Sequence, residues 1–445
     1  MRYLFVNNFR GFYNTFIPIL DINFFVGENS TGKTSILKLI KLLTLPQFWF
    51  NLEFSAQDVE FSHFGDMVSA FSDDKSHFDI GLIKTNKKNK NENNFTAFLM
   101  TFIEKNGMPF LSVFTYLKNN TINRIRFTKS LIKFKKINFN EEVNDNDIVN
   151  NIYPQWLSDH KNDTLGYSVL TTPEKLSIRD IPFIILINIM DAIDSKNKKR
   201  NKNLKGININ SMENIFPLIF DEDIAWIAPI RTKPKHTYDM YKLEFSSEGD
   251  HTPYLIKKIL DKDSESKNFK SYIKNIGLSS GLFDDIKIKK YGRSATAPFE
   301  LDIILNKKLF SICSVGYGVS QSLPVIVELF TRKKNTWFAI QQPEVHLHPK
   351  AQAALGDLFY QLACNENKKF LIETHSDYTI DRFRINYRLN DSKKPDAQIL
   401  YFERGNKGNK IYPIKIGENG ELPKEQPKGY REFFIKEEMK ILGLD

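Results

Sequence analysis

"DINFFVGENSTGKTSILKLIKLL", Asp21 to Leu43, decides the fold class. Its first part is almost unbroken in apolar character, as a strand buried on both faces must be. A Gly/Asn/Ser turn follows, and then Ile36, Leu37, Leu39, Ile40, Leu42 and Leu43 fall at helical spacing. Within the turn, "GENSTGKT" (Gly27 to Thr34) has the spacing Gly-x4-Gly-Lys-Thr. Such glycines let backbone N–H groups wrap an anion, and the helix start adds its positive end. Lys33 would reach the β- and γ-phosphates and the Thr34 hydroxyl a magnesium ion. Gly27, Asn29, Ser30, Thr31, Gly32 and Ser35 would complete the cradle. A plain Gly-rich turn needs neither the strand before it nor the helix after it. Both are present, so the expectation is a phosphate-binding loop in an α/β fold, with ATP and Mg2+ as ligands.

Three later stretches repeat the strand–turn–helix theme. "CSVGYGVSQSLPVIVELF" (Cys313 to Phe330) opens an apolar helix with a Gly/Ser turn, a second anion-binding helix start. In isolation it reads equally well as an ordinary connection. "NTWFAIQQPEVHLHP" (Asn335 to Pro349) is a buried strand that runs into Gln341 and Gln342, then Glu344 and the pair His346/His348. A hydrolysis strand normally ends in a carboxylate, and this one ends in two amides. His-x-His could hold a metal, but no third ligand is suitably spaced nearby. "KKFLIETHSDYTIDRF" (Lys368 to Phe383) is a strand that ends at Glu373, Thr374 and His375.

In this order the four elements resemble the ABC-type ATPase heads of the RecF, Rad50 and overcoming-lysogenization-defect (OLD) group. "NNFRGF" (Asn7 to Phe12) is similar to that group's opening strand. "WIAPIRTKPKHTY" and "QPKGYREFF" are similar to stretches of its small prokaryotic members. The resemblance covers residues 1 to about 70 and about 221 to 445. It implies a mixed sheet with flanking helices, and a role for each motif. "SVGYGVSQ" would be the signature motif, with Ser314 and Gly316 contacting the γ-phosphate bound to a second subunit. "FAIQQPE" would be the Walker B strand, with Gln341 at the metal and both Gln341 and Gln342 in the catalytic positions. "HLHP" would be the dimer-contacting loop and His375 the switch histidine, while Gln57 is the candidate for the Q-loop glutamine.

Relatives commonly carry Glu at one or both of positions 341 and 342, and Ile-Glu-Gln-Pro-Glu is a usual form. Two glutamines leave Glu344 as the carboxylate of this stretch, which implies nucleotide binding with impaired hydrolysis. Natural divergence and an introduced trapping substitution at 341 both fit, and the usual form favours the second. OLD enzymes also carry a metal-dependent nuclease (Toprim) domain, and no matching stretch follows here. Stand-alone heads of this kind resemble ATPases of bacterial anti-phage defence, such as the Septu ATPase PtuA, which works with an HNH nuclease. The implied function is an ATPase subunit that closes as a homodimer or higher homo-oligomer and controls an effector, a nuclease or toxin. The alternatives are a RecF-like repair ATPase that loads on DNA directly, and a nucleotide-binding scaffold without turnover.

Composition fits these readings without choosing among them. The 445 residues are 41% hydrophobic and 26% charged, ordinary for a globular chain with real cores. A net charge of +10 permits nucleic-acid binding but does not require it. Cys313 and Cys364 give no disulfide framework and read as buried thiols in a reducing compartment. The start "MRYLFVNNFRGF" lacks the apolar run of a signal peptide, and "IPFIILINIM" (Ile181 to Met190) is too short to span a bilayer. A cytoplasmic protein with no membrane contact is expected. Residues 1–74 and 221–445 would build the head. Residues 75–220 would be an inserted α+β region for partner or nucleic-acid contact, with the Asn- and Lys-rich runs near Lys84 and Lys196 as surface loops. Within that region "NRIRFTKSLIKFKKINF" alternates like one strand with a basic face.

Overall fold

A computed structural model describes residues 2–138 (Gln57 and the pairs 90–91, 119–120 and 129–130 apart), residue 155, residues 167–171, residues 224–390 (240–241 apart) and residues 394–443 (Arg431 apart). The apolar stretch 181–190 and the polar run at 195–205 lie outside the described residues, as does Gln57.

In chain order the first elements are β1 (Arg2–Asn7), β2 (Thr15–Ile19), β3 (Ile22–Gly27), α1 (Lys33–Thr44), α2 (Pro46–Asn51), β4 (Ser55–Ala56), β5 (Val59–Glu60) and α3 (Phe64–Met67). A run of strands follows: β6 (His77–Asn89), β7 (Glu92–Lys105), β8 (Met108–Lys118), β9 (Thr121–Phe127), β10 (Leu131–Asn138) and β11 (Ser168–Thr171). The rest comprises β12 (Ala225–Ile227), α4 (Thr252–Leu260), α5 (Asp263–Ser280), β13 (Asp285–Lys290), β14 (Phe299–Leu305), β15 (Lys308–Ser311) and α6 (Tyr317–Thr331). It ends with β16 (Trp337–Gln341), α7 (Pro349–Glu366), β17 (Lys369–Glu373), α8 (Asp377–Leu389), β18 (Ala397–Gly405), β19 (Gly408–Lys415) and α9 (Glu432–Ile441). The chain divides into two compact units, one of Met1–Ile19, Ser30–Asp221 and Glu403–Ile411, the other of Leu20–Asn29, Glu222–Phe402 and Tyr412–Asp445.

The first unit is built on an eight-stranded sheet of order β11-β10-β9-β8-β7-β6-β1-β2. Its described pairings are antiparallel. Phe54, Phe78 and Phe102 form an aromatic core on it, with ring centroids 5.0 to 5.8 Å apart. Two sequence expectations change here. The Asn/Lys run near Lys84, read as a loop, is strand: β6 continues to Asn89 and β7 starts at Glu92, with Lys84 opposite Thr96. A backbone ladder needs no apolar side chains, so composition hid it. The stretch from Asn123 is not one strand but two, β9 and β10, paired antiparallel. Its basic residues do not all share an exposed face, because Arg124 is buried with its Nε donating to Thr115 Oγ1 at 3.3 Å.

The second unit carries the mixed sheet and flanking helices that the motifs imply. Strand order is β12-β16-β17-β3-β18-β19, parallel from β12 through β18. Phe338, Ala339 and Ile340 on β16, and Phe370, Leu371 and Ile372 on β17, are fully buried. That is the burial expected of parallel strands covered on both faces. Helices α7 and α8 pack there, with Phe383 edge-on to Phe24 at 5.1 Å. Helix α7 is bounded by its own sequence: Pro349 opens it, the His348 ring accepts from Lys350 N–H, and left-handed Asn367 closes it. "FELDIILN" is strand β14 of a second, antiparallel sheet, and "HTPYLIKKIL" is helix α4, both as their periodicity predicts. Cys313 and Cys364 are half-buried thiols.

Candidate functional site

The phosphate loop starts where β3 stops. Gly27 has φ 141, and a Cβ there would lie 2.1 Å from the Phe402 carbonyl oxygen, so no other residue fits. Ser30 and Gly32 are left-handed, φ 62 and 91, which coils the turn before α1 begins at Lys33. No side chain caps that helix start at Gly32. Asn29 and Ser30 are exposed, Thr34 and Ser35 half-buried, and Thr31 and Lys33 buried. A left-handed, side-chain-uncapped turn that ends in a lysine and a hydroxyl suits a polyphosphate, and the Thr34 oxygen is a hard donor that suits Mg2+. The residues therefore fit ATP and magnesium.

In the second unit the end of β16 is a buried polar cluster. Gln341 pairs in register with Glu373 on β17, which pairs in turn with Phe25 on β3. The Gln341 Nε2 donates to Glu373 Oε2 at 3.0 Å, and both side chains are only 5% exposed. Gln342, left-handed at φ 43, turns the chain away, and its N–H donates to the Glu373 carbonyl at 2.7 Å. Glu344 is buried and takes the His375 N–H on Oε1 at 2.7 Å. Burial pushes the Glu344 carboxyl above its ordinary range, against the pull of that N–H. Arg231, in the segment after β12, is 2% exposed. Burial lowers its guanidinium to about 10, partly offset by Glu344, so it stays charged at neutral pH. Arg231 Nε and Nη1 and Glu344 Oε2 have no hydrogen-bond partner among the described residues.

The turn expected to be the signature motif lies at the start of α6. Ser314 and Gly316 are exposed, and nothing lies within 4 Å of a Cβ built on Gly316. Two residues on, a Cβ on Gly318 would meet the His346 carbonyl oxygen at 2.7 Å, so α6 packs closely against the loop after β16. Tyr317 meets the His346 ring edge-on at 5.1 Å. The two histidines of His-x-His thus have separate local roles, His346 against Tyr317 and His348 as the cap of α7. Among the described residues no group of three or more His, Cys, Asp or Glu could hold a metal. His375 is exposed between β17 and α8, directly before Ser376, whose Oγ caps α8 by accepting from Thr379 N–H at 3.1 Å.

Four residues carry no local sequence mark of their contacts. Local pattern makes Glu373 only a strand end, because its contact with Gln341 arises from parallel register. Arg231 and Gln321 are joined by the Gln321 side chain, whose Oε1 accepts from Arg231 N–H and whose Nε2 donates to the Arg231 carbonyl, each at 3.3 Å. In the first unit Arg10 is left-handed at φ 50, lies 5.3 Å from the Phe61 ring, and is lowered in pKa by burial against the opposing effect of Asp66. With Ser30, Lys75 and Arg404 it lines a cavity of about 810 Å3. The Arg in "NNFRGF" was the available signal.

A phosphate loop leading from one strand of a parallel sheet, with β16 two places away, gives the α/β fold of a P-loop ABC-type head. The sequence matches the AAA ATPase domain family over residues 1–380, and the chain belongs to that family. No curated protein matches it. Among solved structures it is similar to the Smc head domain of Pyrococcus furiosus, bound to the C-terminal domain of ScpA, at 12% identity and TM-score 0.39, covering 99% of this chain and 100% of that one. The SMC head domain of Thermotoga maritima gives 12% identity and TM-score 0.34, with 93% and 99% covered. The recombination mediator RecF gives 10% identity and TM-score 0.29, with 90% and 95% covered. Among the described residues no helix is long and apolar enough to cross a membrane.

Proposed function

We propose that this chain is an ATP-binding and ATP-hydrolysing subunit that closes as a homodimer on ATP and Mg2+ and thereby controls an effector protein, a nuclease, in bacterial defence against phage. The observation that carries dimer closure is the exposed signature turn. Ser314 and Gly316 point a helix start with no side-chain cap at solvent, while Lys33 is buried at the start of its own helix. One chain thus offers a nucleotide grip and, separately, an open anion-binding face suited to a neighbour's γ-phosphate. The defence role and the nuclease partner rest on the resemblance of the four motifs to stand-alone defence ATPases.

Light scattering with and without ATP and Mg2+ tests closure. The wild type should shift from monomer to dimer, Lys33→Ala should bind no nucleotide, and Ser314→Arg should bind nucleotide but stay monomeric. One mass under both conditions would sink the reading. Direct loading on DNA predicts instead an affinity that falls steeply with salt in the absence of any partner.

A further inference from the structure

We propose that Glu373 is the acid of the hydrolysis site, taking the place of the carboxylate that β16 lacks. The inference deepens the ATPase reading above and rests on it. Strand β17 lies between β16 and β3, the strand that leads into the phosphate loop. Glu373 is in register with Phe25, two residues before Gly27, and Thr374 N–H donates to the Phe25 carbonyl at 3.2 Å. Gln341 is a whole strand further from β3, an added spacing of about 4.8 Å. In-register residues of parallel strands point to the same face, so Glu373 stands on the face where a β16 acid would stand, and nearer the loop.

Position 341 is then a support rather than a defect. Its Nε2 donates to Glu373 Oε2 at 3.0 Å and fixes that carboxylate. An acid at 341 would set two carboxylates at that separation, and both could not stay ionised. Glu344 is a weaker candidate, because it lies beyond the left-handed turn at Gln342 and outside the β16–β17 register. In the step proposed, a water oxygen forms a bond to the γ-phosphorus while Glu373 takes the water proton. The bond from that phosphorus to the β-phosphate oxygen breaks, its electron pair leaves on ADP, and the proton passes to the released phosphate. A positioned base of this kind contributes about a hundredfold or more.

Three proteins decide the matter: wild type, Glu373→Gln, and the double variant Gln341→Glu/Glu373→Gln. Glu373→Gln should bind ATP within about twofold of wild type, slow single-turnover hydrolysis about a hundredfold, and hold an ATP-bound dimer that outlives the wild-type dimer in light scattering. The double variant returns one carboxylate across the same hydrogen bond, and should recover at least about tenfold over Glu373→Gln. Equal hydrolysis in wild type and Glu373→Gln, with ATP bound by both, overturns this inference and leaves the ATPase reading standing. A slow Glu373→Gln that the double variant does not rescue also overturns it, as a packing effect. Failure of wild type to bind ATP overturns both.

Discussion

Arg231 donates from Nη2 to the backbone carbonyl of Gln341 at 3.0 Å, tying the segment after β12 to the last residue of β16. The same arginine is held at both backbone polar groups by Gln321 of α6, the helix that follows the Ser314–Gly316 turn. Helix α6 and strand β16 therefore share one buried residue, α6 through its backbone and β16 through its side chain. Arg231→Met removes a charged hydrogen bond and should cost about 2 kcal/mol. Arg231→Lys keeps the charge but loses the fork, and should fall between the two. Thermal and urea unfolding of the three proteins measure this, and equal midpoints for Met and Arg would refute it.

Glu344 makes stability depend on pH in a definite direction. Burial raises its carboxyl above the ordinary 4.5, with the His375 N–H and the Arg231 charge opposing. A carboxyl raised in the native state favours folding while protonated. That contribution is complete below pH 4.5 and is lost as pH climbs through the raised native value. Glu344→Gln stays neutral throughout. The stability difference between wild type and Glu344→Gln should therefore shift against the wild type as pH rises from about 4.5 toward neutrality. A difference that is flat with pH would mean Glu344 titrates as an ordinary surface acid.

What the sequence could disclose depended on range. The strand β14 and the helices α4 and α5 follow from local periodicity, as do the three strand–turn–helix units ending in α6, α7 and α8. The two-strand character of the stretch from Asn123 does not, because alternation continues through it and no Gly or Pro marks the break. Arg124 reads as part of a basic face until the sheet around it buries the side chain. The contact of Gln341 with Glu373 joins residues 32 apart in sequence, and that of Arg231 with Gln341 joins residues 110 apart. No local pattern encodes either. The phosphate loop was legible because all its parts are contiguous.

Gly32 carries a second steric constraint on that loop. Its φ is 91, and an added Cβ would lie 2.6 Å from the Phe12 ring. Gly32→Ala must therefore pay for a left-handed alanine and displace an aromatic side chain, about 1–3 kcal/mol together. It should lower the melting temperature and weaken ATP binding through loop distortion. Gly316→Ala meets nothing within 4 Å and should leave the melting temperature unchanged. Similar melting temperatures for both variants would contradict the loop geometry.

Gln341→Glu tests the end of β16 from the other side. If the amide were simply a missing acid, restoring Glu would raise ATP turnover at every pH without tightening ATP binding much. The neighbouring carboxylate changes that expectation. At about 3 Å and an effective dielectric near 20, two negative charges repel by about 5 kcal/mol, enough to keep one proton on the pair well above the ordinary carboxylate range. The pair would titrate with macroscopic values that belong to neither residue alone. Turnover by Gln341→Glu should therefore climb with pH, because a carboxylate that shares a proton with its neighbour is a weaker base than one that does not. Phosphate release measured from about pH 5 to 9 on both proteins, with ATP saturating, decides this. Parallel profiles would mean that the 3.0 Å contact between residues 341 and 373 does not survive nucleotide binding, and that the two side chains act apart.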